Sequence, residues 1–341
     1  MQHLGAPYLR ELLVRRKDLV RQGWTRSRID GGLAGGGLRR LRRGWYLPDA
    51  DWQGLWPESQ HRAHVVAVQE SADVPPVFCL TSAAVVLGLP LYRVRVDRVH
   101  TAVAPVGRHS AQAVVRHRGE LASEDITRAG GLLCTSLQRT VFDLARLASP
   151  EVAIVCADAA MGRVAGPPRQ YDVAAAERWR DALRERVDAA AGARGIRQAR
   201  EIVEIMDGRS ELPLESVTKL QLRRLGFAQP GLQVRVPGPG PSDYWLDIEL
   251  EEAGAFYECD GEVKYTDESM RSGQTLERIL LDEKHREDWV RGTTGRRVLR
   301  GGTAHAVTPA ALAARLTSFG VSLPSRRARL LLPSAPLLAG Q

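Results

Sequence analysis

The sequence predicts a mixed α/β protein of the α+β type, built from several domains. Three observations predict this class. The first 50 residues contain two short helical patterns followed by two stretches that alternate basic and apolar side chains. Residues 60–160 mix helical and strand patterns, and residues 196–305 follow the order helix, three strands, helix, strand. We expect a winged helix-turn-helix at 1–50, a mixed middle domain at 51–165, a linker and polar helix at 166–195, a further α/β domain at 196–320 and a flexible tail at 321–341.

The composition is that of a globular protein without a membrane-spanning segment. Hydrophobic residues make up 44% of the 341-residue chain and charged residues 26%, which argues against disorder. No apolar run approaches the roughly 18 to 20 residues that a spanning helix needs, and the N-terminus lacks an apolar signal segment. The four cysteines form no CxxC pair, so we expect buried thiols rather than a zinc site. A cytoplasmic location without a membrane partner is the default expectation.

Positive charge is concentrated at the N-terminus. Residues 1–48 contain eleven Lys and Arg against three acids, an excess that equals the net charge of +8 for the whole chain. The remaining residues therefore balance. A polyanion would be drawn to one end of the molecule rather than to its whole surface. The alternative interpretation is a solvated basic face.

The same N-terminal residues have the pattern of a winged helix. Leucines recur at helical spacing up to Gly23, and Thr25 is placed to cap a second short helix through Ile29. After the glycine-rich stretch 31–37, residues 38–48 alternate basic and apolar side chains, as a two-stranded wing would. In such a fold the helix arginines face base edges or phosphates, and the wing arginines hold the phosphate backbone. The candidate DNA-binding residues are Arg26 and Arg28 on the helix and Arg39, Arg40, Arg42 and Arg43 on the wing.

The segments LVRRKDLVRQGWTRSRI and LRRLRRGWY resemble the N-terminal winged-helix domain of AbiEi-type antitoxins from type IV toxin-antitoxin systems. In that family the domain binds the promoter of its own operon and represses it. The resemblance implies DNA as a partner, autoregulation of transcription and a cognate toxin encoded nearby. Two segments of the middle region, LTSAAVVLGL and TSLQRTVFD, resemble the same family.

Three histidines lie on or near the strands predicted in the middle region. His100, His109 and His117 fall within 18 residues of one another. Their spacing fits no common metal-ligand pattern, and neighbouring arginines would repel a metal cation. We therefore expect a basic edge that faces solvent or DNA.

An acidic segment in the C-terminal part predicts a β-hairpin with carboxylates on one face. If a four-residue turn follows Leu250, that residue pairs with Ala255, and Asp247 lies directly opposite Glu258. Asp260 then shares the face of Glu258. Carboxylates about 5 Å apart across a ladder repel one another unless a cation lies between them. A divalent metal is the simplest such cation, and an exposed hairpin paired with Lys284, Arg296 or Arg297 is the alternative.

Residues 196–305 resemble the nuclease-like domains related to very-short-patch-repair endonucleases, which have the restriction-endonuclease-like PD-(D/E)xK fold. The resemblance rests on the order of elements and on an ordered set of residues: Glu215, Gln233, Asp247, the motif Glu258-Cys-Asp260-Gly-Glu-Val-Lys264-Tyr, DEKHRED at 282–288 and RVLR at 297–300. It implies Glu215, Asp247 and Glu258 as Mg²⁺ ligands, with Asp260 where many of these nucleases carry a lysine. Asp260 would orient the attacking water, and Lys264 would lie near the scissile phosphate. Lys264 comes six residues after Glu258, which departs from the spacing of two in the standard arrangement.

Two functions from different classes follow from these patterns. The first is a DNA-binding regulator, resembling an antitoxin, in which the C-terminal domain is structural or regulatory. The second is a Mg²⁺-dependent endonuclease that hydrolyses phosphodiester bonds through Asp247, Glu258 and Asp260 and is directed to DNA by the winged helix. A third reading keeps the nuclease-like fold without the activity. The oligomeric state is left open by the sequence.

Overall fold

The computed structural model describes residues 5–94, 98–103, 113–260 and 276–325. The chain divides into two compact units, Met1–Ala148 and Ser149–Gln341. Helices and strands contribute to both units, which confirms the mixed α/β class. Of the residues singled out above, His109 and Lys264 lie outside the described residues, as does most of the predicted tail.

The first unit begins with a helix, a short strand, two helices and two strands. These elements are α1 (Ala6–Leu12), β1 (Val14–Arg15), α2 (Arg16–Arg21), α3 (Arg26–Ala34), β2 (Leu38–Arg42) and β3 (Trp45–Pro48). The strands form an antiparallel sheet in the order β1-β3-β2, in which β2 and β3 make the predicted two-stranded hairpin. Thr25 caps α3 as predicted, because its side chain accepts a hydrogen bond from the backbone N–H of Arg28 at 3.2 Å.

The glycine-rich stretch lies partly inside α3, and this corrects the sequence prediction of a helix ending near Ile29. The helix continues through Gly31 and Gly32 to Ala34. A Cβ atom on Gly32 would lie 3.2 Å from Cδ1 of Leu38, so the missing side chain lets the first wing strand approach the helix closely. The chain then turns at Gly36, whose φ of 72° favours glycine.

The rest of the first unit combines helices with a mixed five-stranded sheet. Its elements are α4 (Asp49–Gln53), α5 (Pro57–Glu70), β4 (Val77–Phe78), α6 (Leu80–Val86), β5 (Val99–Val103), β6 (Val114–Arg118), β7 (Ile126–Ala129), β8 (Leu132–Thr135) and α7 (Leu137–Leu147). The strand order is β6-β5-β4-β8-β7. Apolar side chains of α1, β2 and β3 share one core cluster with α5 and this sheet. Residues 1–50 therefore belong to the same compact unit as the sheet that follows them.

The second unit begins with α8, a helix that the sequence analysis did not predict. Its elements are α8 (Pro150–Ala165), α9 (Val173–Ala189), α10 (Ile196–Ile205), α11 (Pro213–Arg224), β9 (Gly231–Val236), β10 (Tyr244–Leu250), β11 (Ala255–Cys259), α12 (Leu276–Thr294), β12 (Arg297–Gly301), α13 (Thr303–Ala306) and α14 (Pro309–Ser318). Strands β9, β10 and β11 pair antiparallel, and β12 adds parallel to β11. From α11 to β12 the described elements follow the predicted order of helix, three strands, helix, strand.

A buried ion pair fastens α11 to α8. Lys219 Nζ lies 2.7 Å from Asp158 Oδ2, and both side chains are almost completely inaccessible to solvent. The other oxygen of Asp158 accepts a hydrogen bond from the backbone N–H of Asp207 at 2.7 Å, so the carboxylate also ties down the chain before α11. None of the described helices combines the length and the hydrophobicity that crossing a membrane requires.

Candidate functional site

A basic groove runs between α3 and the β2–β3 wing of the first unit. It has a volume of about 550 Å³ and is lined by Arg16, Arg26, Asp30, Arg40, Arg43 and Tyr46, among others. The four arginines are exposed. Because Asp30 is the single acid among the lining residues, the groove carries a local charge of about +3.

Arg26 and Asp30 form a weak ion pair along α3 at the edge of this groove. Arg26 Nε lies 3.7 Å from Asp30 Oδ2, and the two side chains are 86% and 64% exposed. Solvent-exposed pairs of this kind contribute about 0 to 1 kcal/mol. Arg26 can therefore exchange Asp30 for another anion at little cost in free energy.

Arg16 lies in the groove although the sequence analysis did not select it. Its backbone N–H donates to the carbonyl of Gly44 at 2.9 Å, which joins the start of α2 to the turn of the wing. Gly44 has a φ of 80° and so provides the left-handed turn that brings β2 back as β3. The signal available in the sequence was the place of Arg16 in the basic N-terminal segment.

The other arginines predicted to bind DNA do not line the groove. Arg28 stacks over the ring of Trp24, with its guanidinium carbon 4.2 Å from the ring centroid, and stays exposed on α3. Arg39 forms an ion pair with Asp49 at 2.8 Å. Arg42 is half-buried, and burial together with the charge of Arg116 lowers the pKa of its guanidinium.

The acidic hairpin of the second unit has the predicted register. Leu250 pairs with Ala255, and Ile248 pairs with Tyr257. A turn of 3₁₀ helix over Glu251–Ala253, followed by Gly254 at a φ of 55°, joins the two strands. Asp247 lies one residue beyond the last paired position, Ile248. Its side-chain Oδ2 atom accepts a hydrogen bond from the backbone N–H of Cys259 at 2.8 Å.

Glu215 and Asp247 are brought together through Gln233. The Gln233 Nε2 atom donates to Glu215 Oε2 at 3.2 Å and to Asp247 Oδ1 at 3.3 Å. Glu215 is only 1% exposed, and its Oε2 also accepts from the backbone N–H of Glu211 at 2.9 Å. Burial and the nearby charge of Asp247 raise the pKa of Glu215 to about 8. Glu215 therefore carries a proton at neutral pH.

Gln233, which hydrogen-bonds to both carboxyl groups, has an unfavourable backbone conformation. Its φ is 49°, a left-handed value that costs a residue other than glycine about 1 to 3 kcal/mol. It lies within β9, between Leu232 and Val234, which pair with Ile248 and Leu246. The strand is therefore distorted at the residue that joins the two carboxyl groups.

Arg286 on α12 provides the cation that faces Glu258. Its Nη1 and Nη2 atoms lie 3.2 and 3.3 Å from the two carboxylate oxygens of Glu258. Nη2 also donates to the carbonyl of Trp245 at 2.7 Å, which fixes the guanidinium against β10. Burial and Asp247 raise the pKa of Glu258, whereas Arg286 opposes the rise. From the sequence, Arg286 was interpreted as a surface residue of the segment at 282–288 and was not paired with Glu258, since only the fold brings α12 next to β11.

A second arginine neutralises the neighbouring acids. Arg300 on β12 pairs with Glu283, and its Nη1 lies 3.7 Å from Asp260 Oδ2. Arg296 pairs with Glu249, which agrees with the alternative interpretation in which acids of the hairpin pair with basic residues. Arg297, the other arginine of that reading, instead donates to the carbonyl of Phe319 at 2.7 Å.

The three candidate metal ligands do not fit a divalent ion as they are arranged. Both oxygens of Asp247 and both oxygens of Glu258 already accept hydrogen bonds from protein donors. Within the described ranges, no group of three or more His, Cys, Asp or Glu side chains is placed to hold a metal ion.

The chain matches no protein-family model, and no curated protein matches its sequence.

Proposed function

We propose that the first unit binds double-stranded DNA in the basic groove between α3 and the wing. The observation that carries this proposal is the set of four exposed arginines around one cleft, opposed by a single solvated acid. Arginine guanidinium groups bind phosphate oxygens through two parallel hydrogen bonds, and most contacts to DNA are made with its backbone.

The order of elements supports the same conclusion. The order helix, strand, helix, helix and two-stranded hairpin agrees with a winged helix, in which the second helix of the pair enters the major groove and the wing contacts the backbone. In this proposal Arg26 at the start of α3 faces the major groove, and Arg40 and Arg43 contact the flanking phosphates. Arg28, exposed on the same helix, adds a contact next to Arg26.

We further propose that this DNA binding regulates transcription. The resemblance to AbiEi-type antitoxins makes the promoter of the protein's own operon the first DNA to test. A toxin encoded in the adjacent reading frame is the corresponding protein partner.

Titration of duplex DNA at several salt concentrations tests DNA binding. Changing Arg26 and Arg43 together to alanine is expected to weaken binding and to reduce the slope of log K against log salt by about 2, because two phosphate contacts no longer release counterions. Arg21→Ala is the matched control, since Arg21 is an exposed arginine on α2 that does not line the groove. An unchanged salt slope in the double variant would exclude the groove as the interface.

A second candidate function, Mg²⁺-dependent cleavage of DNA, is favoured by one observation. Glu215, Asp247 and Glu258 are close enough that the charge of Asp247 raises the pKa of both glutamates. The arrangement described above does not fit a metal, so this function requires Arg286 to release Glu258. Incubation of supercoiled DNA with Mg²⁺ or Mn²⁺ tests it, with Asp247→Asn as the inactive variant. A wild-type protein that cuts with neither metal, or cutting that survives the substitution, rules this candidate out.

A further inference from the structure

A pocket separate from the basic groove lies in the first unit. It has a volume of about 230 Å³, and the start of α6, strand β6 and the outward face of α7 contribute to its walls. Its charged and polar lining includes His117, Arg118, Arg139, Asp143 and Arg146. We call this cavity the α7 pocket.

Arg139 is held rigidly at the wall of the α7 pocket. Its Nη1 donates to Asp125 at 2.7 Å and its Nε donates to Asp143 at 2.8 Å. The side chain is only 20% exposed. In the described part of the chain, its Nη2 donates no hydrogen bond, so this end of a fixed guanidinium is left for a ligand.

Arg118 adds positive charge that no carboxylate neutralises. It is the last residue of β6 and is exposed, and among the described residues it forms no ion pair. Arg146, two turns along α7 from Arg139, packs over Phe142 with its guanidinium carbon 5.1 Å from the ring centroid. The lining of the α7 pocket thus contains three arginines and one acid. Even if Asp125 behind Arg139 is counted, positive charge remains in excess.

His117 contributes a neutral polar group to the same wall. Its Nε2 lies 2.8 Å from Nδ1 of His100 on the neighbouring strand. Burial lowers the pKa of His117, and burial together with His117 lowers the pKa of His100 to about 3. Both rings are therefore uncharged at neutral pH. They can take part in hydrogen bonds without adding repulsion between cations.

Apolar side chains also line the α7 pocket. Leu80, Leu121 and Leu147 line it. Leu80 adopts a φ of 51°, a strained value that only a well-determined turn maintains. Because Leu80 is 2% exposed, the strain is held by packing where β4 turns into α6. The lining of the cavity thus combines cationic and apolar side chains.

We propose that the α7 pocket binds a small organic phosphate, with the phosphate on Arg118 and Arg139 and the organic group against the leucines. Arg118 and the Nη2 group of Arg139 together present more donors than a carboxylate with two oxygens accepts, whereas a phosphate monoester offers three oxygens and up to two negative charges. The proposal concerns a small ligand and does not depend on DNA binding in the basic groove.

Isothermal titration of the full-length protein with phenyl phosphate tests the proposal. We expect saturable binding that phenol, which has the same ring without the phosphate, does not show. Arg118→Ala is expected to weaken binding of phenyl phosphate about tenfold, and Arg118→Lys is expected to restore part of it. Arg118 is exposed, so these substitutions leave the fold intact.

Two control variants separate this pocket from other basic surfaces. Arg128→Ala changes an exposed arginine on β7, at the opposite edge of the same sheet. The double change of Arg26 and Arg43 to alanine removes two arginines of the groove. Affinity for phenyl phosphate that persists in both controls and falls with Arg118→Ala supports the α7 pocket. Absence of saturable binding at millimolar phenyl phosphate, or equal affinity in the Arg118→Ala variant, overturns the proposal.

Discussion

The second unit contains an acidic centre formed by Glu215, Asp247 and Glu258. This acidic centre and the basic groove of the first unit differ in how their charges are compensated. In the groove, Arg26 and Asp30 are both largely exposed and lie 3.7 Å apart. In the acidic centre, Glu258 is 8% exposed and both of its oxygens contact Arg286. The arginines of the groove are therefore screened mainly by water, whereas the carboxylate of Glu258 is already paired with a cation of the protein.

This difference shows which cluster is ready to bind a ligand as it stands. A solvated arginine loses little when it exchanges water for a phosphate, because its desolvation cost is small and counterions are released. A buried carboxylate bonded to an arginine must first lose that partner, which leaves a charge uncompensated in a poorly solvated site. The groove is therefore ready for an external polyanion, while any cation for the acidic centre competes with Arg286.

The largest effect should follow from breaking the buried ion pair between α8 and α11. Lys219→Met removes the cation that pairs with Asp158, and burial already raises the pKa of that carboxyl. Because the carboxyl must then stay charged without its partner or take up a proton, we expect the free energy of unfolding of the second unit to fall by about 3 to 5 kcal/mol. Urea denaturation followed by circular dichroism measures this change. Arg200→Met is the matched control, because Arg200 and Asp188 form an exposed pair at 3.5 Å whose loss should cost less than about 1 kcal/mol.

A double change shows whether the loss comes from the isolated charge or from the missing packing. Adding Asp158→Leu to Lys219→Met removes the unpaired carboxylate. Recovery of part of the stability is then expected, since apolar replacements of buried ion pairs are often neutral or stabilising. Equal losses in Lys219→Met and Arg200→Met would mean that burial of the pair has no energetic consequence.

The next effect concerns pH and Glu215. The pKa of this carboxyl rises from an ordinary 4.5 to about 8 in the folded protein. Between these values the folded state holds a proton that the unfolded state has released, so the free energy of unfolding falls as pH rises, by up to about 1.4 kcal/mol per pH unit. The stabilisation is fully present below the unfolded pKa and is lost through the folded pKa.

Glu215→Gln removes this titration and keeps a side chain that accepts hydrogen bonds. We expect the variant to lose much of the decline in stability between about pH 5 and 8, measured by urea denaturation at several pH values. Glu185→Gln serves as the control, because Glu185 is exposed on α9 of the same unit. A wild-type decline that Glu215→Gln leaves unaltered would show that Glu215 ionises normally.

Local patterns predicted several elements that the structure confirms. The pairing of Leu250 with Ala255 followed from a turn length and a strand period, and the cap at Thr25 followed from a hydroxyl before a helical pattern. These features depend on neighbours in the chain. The partners of the charged groups do not, since Arg286 reaches Glu258 across 28 positions and Lys219 reaches Asp158 across 61. No local pattern indicates such a contact.

The end of α3 shows a further limit of local reasoning. Glycines normally weaken a helix, and so the run from Gly31 indicated its end. Gly32 instead lies within the helix because the wing strand packs where its side chain would be. Tertiary packing thus overrides propensity.

The smallest effect should come from the one acid in the groove. Asp30→Asn keeps the size of the side chain and removes its charge, so the local charge of the groove rises from about +3 to about +4. Because Asp30 is 64% exposed and its pair with Arg26 is weak, stability should change by less than about 0.5 kcal/mol. Duplex DNA should bind a few-fold more tightly at low salt, and the gain should shrink as salt screens the charge. Asp18→Asn, next to Arg21 on α2 and outside the groove, is the control. If both variants bound DNA more tightly by the same factor, DNA binding would depend on the total charge of the first unit rather than on the groove. The difference between the basic groove and the acidic centre would then be one of net charge alone.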